Sequence, residues 1–280
     1  MATKKAAVAT KKSAAKKQSI TKVTTIKATE PRAHTVTTAV TKSNSRFMLS
    51  QVSISAVLAE FVGTFIFTAA IIASQGSPVI VGFTLIGLVL AISTLSNAHF
   101  NPALSIAAWL TRRISGKRAL AYAVAQVLGS MLALVILNWF AHASNASTVT
   151  DPTTGQATTG ALQLFAAAAI PSGKEWYVFA AEVLGTFIFG FTVASIIRAK
   201  ERVSVAFTMG FGLFAALLIA SSAAGVIQAT AILNPAVAIA LQALSFKVWP
   251  IAIYVLGPIL GAVIGFIIFD LLKNNDEKVA

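Results

Sequence analysis

The chain contains no cysteine and only three histidines, His34, His99 and His142, too widely spread to suggest a metal cluster. Disulfides, thiolate catalysis and Cys-based metal sites are thereby excluded. Charge is scarce as well: 11% of the 280 residues are charged and 56% are hydrophobic, which marks an integral membrane protein. Acids are the rarer sign, nine against 22 bases. The excess is concentrated, because eleven Lys and Arg fall in residues 1–46 with Glu30 as the single acid there.

That first segment is Lys, Ala and Thr without apolar periodicity, and it cannot bury enough surface to offset its ordering entropy. The expectation is a disordered basic tail. It has no apolar core before a small-residue cleavage site, so it is not a secretory signal, and its preference for Lys over Arg argues against an organelle transit peptide. Such a tail can contact anionic lipid at about 1 kcal/mol per basic residue, but a solvated anchor is the simpler reading. Nucleic acid is disfavoured, because no aromatic residue precedes Phe47 to stack on bases.

What is present is a series of apolar runs: Val52–Ser74, Val79–Leu95, Ala119–Phe140, Trp176–Ile197, Val203–Ala224 and Val248–Phe269. Each is near the length that crosses a bilayer. Basic residues orient them: the tail, the group Arg112, Arg113, Lys117 and Arg118, and the group Arg198, Lys200 and Arg202 all fall on one side if there are six spans. Both termini are then cytoplasmic, and the plasma (cell inner) membrane is the expected location. Asn145-Ala146-Ser147, on the opposite side, fits a glycosylation acceptor in a eukaryotic host.

Two further segments are too short to cross. Asn101-Pro102-Ala103 and Asn234-Pro235-Ala236 each place Asn before Pro at the start of about nine mostly apolar residues, a pattern of helix initiation. Nine helical residues reach about 14 Å, half of a ~30 Å hydrocarbon core. The chain also repeats: the nine residues from Ala59-Glu60 to Phe67 return from Ala181-Glu182 to Phe189, and Val127-Leu128-Gly129 returns as Val255-Leu256-Gly257. Each repeat, about 52–140 and 175–271, has three spans with a half-span between the second and third. An odd number of spans inverts the second copy, so the two half-helices enter from opposite faces and their amino-terminal ends meet at the midplane. Both Asn amides then offer N–H donors where two helix dipoles repel cations.

With these landmarks the chain resembles the aquaporin and glycerol-facilitator family, the major intrinsic proteins, over about residues 52–271. The resemblance rests on Ala98-His99-Phe100-Asn101-Pro102-Ala103, on Asn234-Pro235-Ala236, on the Ala-Glu-x-x-Gly-Thr-Phe starts and on Gly257-Pro258. It implies an all-α membrane fold of six transmembrane helices plus two re-entrant half-helices. The channel domain would cover 47–273, after the tail at 1–46 and before a cytoplasmic tail at 274–280. It also implies a homotetramer of separate pores in the lipid bilayer, each passing small neutral solutes down their gradient.

Asn101 and Asn234 would be the paired midplane donors. Glu60 and Glu182 would accept hydrogen bonds from the loops carrying the half-helices, since an unpaired charge inside a span costs ~2.5–3.5 kcal/mol or more, and His99 would bond within the first loop. Most relatives have Arg directly after the second motif; here that position is Val237. Ungapped counting from the two Asn residues puts the other constriction positions at Val81, Ser222 and Ala231, none aromatic or basic. The expected function is a passive channel for glycerol or related polyols, with water as a further permeant. The alternatives are an orthodox water channel, a proton-coupled secondary transporter that titrates Glu60 and Glu182, and a non-conducting structural protein. No catalytic set, cofactor or metal site is expected.

Overall fold

The computed structural model describes residues 52–143, 147–150, 157–160, 164–197, 199 and 201–279. The expected basic tail, Asn145, Arg198 and Lys200 lie outside these residues.

Helix α1 (Ile54–Ala73) is followed by α2 (Pro78–Ile92), whose first position is held by Pro, tolerated there because that N–H has no intrahelical acceptor. The half-helix α3 (Pro102–Leu110) and the long α4 (Gly116–Ala143) complete the first repeat. The loop after α4 carries a two-stranded antiparallel ribbon, β1 (Ser147–Thr150) and β2 (Ala157–Gly160), with Ser147 opposite Gly160. The second repeat is α5 (Glu175–Ile196), α6 (Arg202–Gly225), the half-helix α7 (Pro235–Ala240), and the run α8 (Val248–Ile251), a π-turn at Ala252–Leu256 and α9 (Gly257–Val279). The π-turn lies just ahead of Pro258, which has no N–H to return to the preceding turn; the wider turn absorbs the missing bond.

Among the described residues five segments are long and apolar enough to cross a membrane: α1, α4, α5, α6 and Val248–Asn274. The remaining expected span, α2, has 15 residues, about 22 Å, before the chain turns at Ser93. The second half-helix is likewise shorter than expected: α7 has six residues against nine in α3. Each ends near a residue of positive φ, Gln242 at 58° and Arg112 at 61°. The tail expected from residue 274 begins inside the last turns of α9.

The helices pack as an inverted pair. In the first repeat α1 lies on α4 and in the second α5 lies on α9, while α2 crosses α6 between the repeats. Glycine sets these distances: a Cβ on Gly129 would stand 2.3 Å from the Phe61 carbonyl oxygen, and one on Gly261 would stand 2.3 Å from the Val183 oxygen. Phe61 and Val183 are equivalent in the nine-residue repeat, so the true mate of Gly129 is Gly261. The apparent match with Gly257, one turn earlier, is a coincidence of local sequence. Outward faces of the helices carry exposed Leu58, Val124, Leu128, Trp139, Leu260 and Ile267, the apolar surface a lipid environment requires.

Several polar groups inside the bundle are paired. Thr68 and Ser130 share a 3.0 Å hydrogen bond, and the Ser130 hydroxyl donates to the Ala236 carbonyl at 2.7 Å, joining α1, α4 and α7. At the end of α3, Arg113 binds both carboxylate oxygens of Asp270 at 2.9 and 3.0 Å with its guanidinium 4.5 Å from the Phe266 ring centroid, tying the first half-helix to α9.

Candidate functional site: two half-helices and the cavities on either side

Each half-helix is aimed by a loop held in an uncommon backbone conformation. Phe100 and Leu233, directly before the two Asn residues, both have positive φ, 46° and 60°. For residues with a Cβ this conformation is costly and persists only where the surroundings impose it. Here a buried carboxylate does so. Glu60 accepts from the His99 and Phe100 amides at 3.0 and 2.8 Å; Glu182 accepts from the Ile232 and Leu233 amides at 2.5 and 2.8 Å. Both carboxylates are fully buried, so the amide pairs are the compensation for that burial.

The two loops then lock to each other. Asn101 Nδ2 donates to the Leu233 carbonyl and Asn234 Nδ2 donates to the Phe100 carbonyl, both at 2.8 Å. Each Asn oxygen caps its own helix, accepting from Ala103 N at 2.8 Å and from Ala236 N at 3.0 Å. An Asn amide has two hydrogens. One is spent on the opposite loop and the other remains for the cavity that both residues line. Pro102, Ala103, Pro235 and Ala236 are buried at these first turns and complete the back-to-back junction.

His99 belongs to a hydrogen-bond chain starting at Glu60. Gln126 Nε2 donates to Glu60 Oε2 at 2.8 Å and to Ser105 Oγ at 3.0 Å, and Ser105 Oγ lies 3.0 Å from His99 Nδ1. The Ser105 hydroxyl also lies 3.4 Å from Gln126 Oε1, so Gln126 and Ser105 make two contacts beside His99. His99 also lines the cavities on both sides of the Asn pair.

The first cavity has a volume of about 210 Å³ and contains Val81, Ala231 and Val237 in its wall. Helix α6 contributes Leu213, Leu217 and Ser221 to that wall; Ser222 is exposed and its hydroxyl donates to the Leu218 carbonyl at 2.6 Å. The cavity wall therefore holds the residue directly before the position obtained by ungapped counting. Three aromatic residues that counting did not single out also line the cavity: Phe67, Phe189 and Phe165. Phe67 and Phe189 close the two copies of the repeat, a signal the sequence did contain. Phe165 reaches the cavity from the loop before α5, which is pinned by Ala167 N to Leu241 O and Ala168 N to Thr230 Oγ1, both 2.9 Å. Its ring packs against Gly76, where a Cβ would stand 2.8 Å from Cε1.

The second cavity, about 240 Å³, lies at the ends of α2 and α5 and the start of α6. Ser93, Ser96, Asn97 and Arg202 form its polar wall and Val193, Ile196, Val205 and Met209 its apolar one. Among the described residues no group of His, Cys, Asp and Glu could hold a metal ion.

This architecture has relatives. The chain is 29% identical over 205 residues to Aquaporin AqpM of Methanothermobacter marburgensis, covering 69% of this chain and 75% of that one. It is 26% identical over 234 residues to Glycerol uptake facilitator protein-like 6 of Lactiplantibacillus plantarum, covering 78% and 98%. The fold matches the X-ray structure of the aquaglyceroporin from Plasmodium falciparum with a TM-score of 0.62 at 17% identity, over 81% of this chain and 99% of the other. The family profile described as Major intrinsic protein matches residues 48–269. Two loops folded against each other by paired Asn amides, inside an inverted helical repeat and within that matched range, place this chain in the major intrinsic protein family, as an integral membrane channel for water or small solutes and not an enzyme.

Proposed function

We propose that the chain is a passive pore for glycerol or related small polyols, which also passes water. The observation that carries this reading is the wall of the first cavity, where Val81, Ala231, Val237 and Ser221 offer one hydroxyl and no charge. A guanidinium at position 237 would narrow the opening and carry a positive charge; a valine does neither. The aromatic faces of Phe67, Phe165 and Phe189 suit the C–H surface of a polyol, while Ser221 and the free N–H of each Asn suit its hydroxyls. Water gains less from such a wall, since each hydrogen bond it fails to replace is worth about 1 kcal/mol.

Val81, Ser221, Ala231 and Val237 are the proposed constriction, and Asn101 and Asn234 the midplane donors. Glu60 and Glu182 act as scaffolding, because all four carboxylate oxygens accept backbone amides of the pore loops. That use argues against the proton-coupled alternative. The proposed assembly is a homotetramer in the plasma membrane with both termini cytoplasmic and residues 1–46 as a solvated basic tail. The channel domain spans 47–273.

The test is stopped-flow light scattering of proteoliposomes under a sucrose gradient and then a glycerol gradient, with wild type and Val237→Arg. Fast glycerol re-swelling that Val237→Arg slows at least several-fold supports a wide neutral-solute pore. Wild-type vesicles that match empty ones in both gradients would point to the non-conducting alternative.

A further inference from the structure

Among the described residues the wall of the first cavity carries no charged side chain, and that of the second carries one, Arg202. Its place follows from how α2 and α6 cross. The helices touch at Gly82 and Gly210, where a Cβ on either would stand 2.9 or 2.6 Å from the other's carbonyl oxygen. Measured from that crossing, α6 begins one turn earlier than α2, and the extra turn carries Arg202 past the position where α2 starts with Pro78. The inverted repeat is therefore asymmetric at its mouths: neutral Pro78 lines the first cavity and a cation lines the second.

The guanidinium is held in place. Arg202 Nη2 donates to the Leu90 carbonyl, in the last turn of α2. Carbonyls there have no intrahelical partner, and the negative end of the helix dipole favours a cation beside them. The neighbouring acid does not cancel the charge at the wall: Glu201 is absent from the cavity lining, and its carboxylate accepts from the Val203 and Ser204 amides as the cap of α6. Beside Arg202 in the wall, Ser93 has a buried hydroxyl oxygen with no hydrogen-bond partner, so its polar group is available to an uncharged permeant.

We propose that Arg202 is a specificity-determining residue of this pore, a fixed positive charge at the second mouth that excludes small cations while neutral solutes pass, where the constriction at Val237 supplies no charge. The proposal rests on the channel reading above. The charge acts through space on a cation entering a cavity with low-dielectric walls, so its effect weakens as salt rises.

The experiment uses the full chain in proteoliposomes containing an entrapped potassium-sensitive dye, with glycerol re-swelling recorded on the same preparations. Arg202→Gln is expected to raise the ratio of potassium entry to glycerol flux at least threefold over wild type at low ionic strength. Arg202→Lys keeps the charge without the planar fork and is expected to keep that ratio within twofold of wild type. Wild-type exclusion is expected to weaken between low and high salt, and that of Arg202→Gln to change less, which a structural role would not produce.

Potassium entry through Arg202→Gln at the wild-type level, in vesicles that pass glycerol, overturns the proposal and leaves the channel reading intact. So does an Arg202→Lys variant as leaky as Arg202→Gln, because the charge is then irrelevant. Wild-type vesicles that pass neither water nor glycerol overturn the channel reading first. Monodispersity of each variant in detergent shows that it folds; should Arg202→Gln aggregate, Arg202→Met provides the same neutralisation and is judged by the same thresholds.

Discussion

Gln126 donates to Glu60 at 2.8 Å, and the equivalent place in the second repeat is occupied by Pro258, which has no donor to offer Glu182. The equivalence follows from Gly129 and Gly261, which make the same close contact with α1 and α5. The two pore loops are thus built on one plan with unequal support: Glu60 accepts three donors and Glu182 two among the hydrogen bonds described.

This inequality sets the order of two substitutions. Glu60→Ala leaves the His99 and Phe100 amides and the Gln126 amide without an acceptor; Glu182→Ala leaves the Ile232 and Leu233 amides. An orphaned buried donor costs about 1–3 kcal/mol. Glu60→Ala is expected to be the more destabilising by about one such increment, and both are expected to abolish solute flux. Thermal aggregation in detergent, followed by size-exclusion chromatography, measures the order. Equal midpoints for the two variants would show that Gln126 finds another partner.

Glycine substitutions separate helix packing from lipid-facing positions. Gly129→Ala and Gly261→Ala drive a methyl into the backbone of α1 and α5, which cannot yield as a side-chain tip can. Each is expected to cost about 1–3 kcal/mol by overpacking. Gly87→Ala meets nothing within 4 Å and is expected to be neutral or stabilising by up to about 1 kcal/mol. The same thermal assay compares all three; a Gly87→Ala variant as unstable as Gly129→Ala would contradict the contact geometry.

The absence of cysteine makes the position of α6 directly testable. Ser221→Cys places a thiol in the wall of the first cavity and Ser222→Cys places one at an exposed position outside that wall. A membrane-permeant thiol reagent is expected to slow glycerol re-swelling at least several-fold in the first variant and by less than a third in the second. The reverse result would restore the position obtained by ungapped counting.

Acid should loosen the start of α6. The Ser204 and Val203 amides bond to the Glu201 carboxylate and hold its pKa below the ordinary value. A depressed carboxyl pKa contributes stability that is present above the unfolded value and is lost as pH falls through the folded one. Amide exchange in the first turn of α6, corrected for its intrinsic pH dependence, is therefore expected to lose protection below about pH 4, the ordinary range of a glutamate. Glu201→Ala is expected to remove that pH dependence.

The sequence by itself determined the membrane class, the inverted repeat and the two half-helices, because each is written locally. Apolar run length, Pro after Asn, and a buried Glu in the same slot of each repeat need no knowledge of distant contacts. That Glu60 and Glu182 must face inward and find donors was legible for the same reason, because an unpaired carboxylate inside an apolar span is costly; that the half-helix loops supply those donors came from the family resemblance.

Tertiary structure alone decided what faces the pore. Ser221 rather than Ser222 lines the first cavity, and no local pattern records the rotation of α6 that puts it there. Phe165 enters the wall because two backbone amides of its loop find acceptors at Leu241 and Thr230, far away in the chain. The partner of Gly129 was misread from a three-residue match, since packing distance and not sequence likeness defines equivalence between helices. Arg202 counts among the charges that orient the spans, and only the crossing of α2 and α6 at Gly82 and Gly210 carries it into the wall of a cavity. Chemistry that depends on a residue's own type was readable from the chain; chemistry that depends on helix rotation and long-range loop docking was not, because those are settled by contacts between residues far apart in the chain.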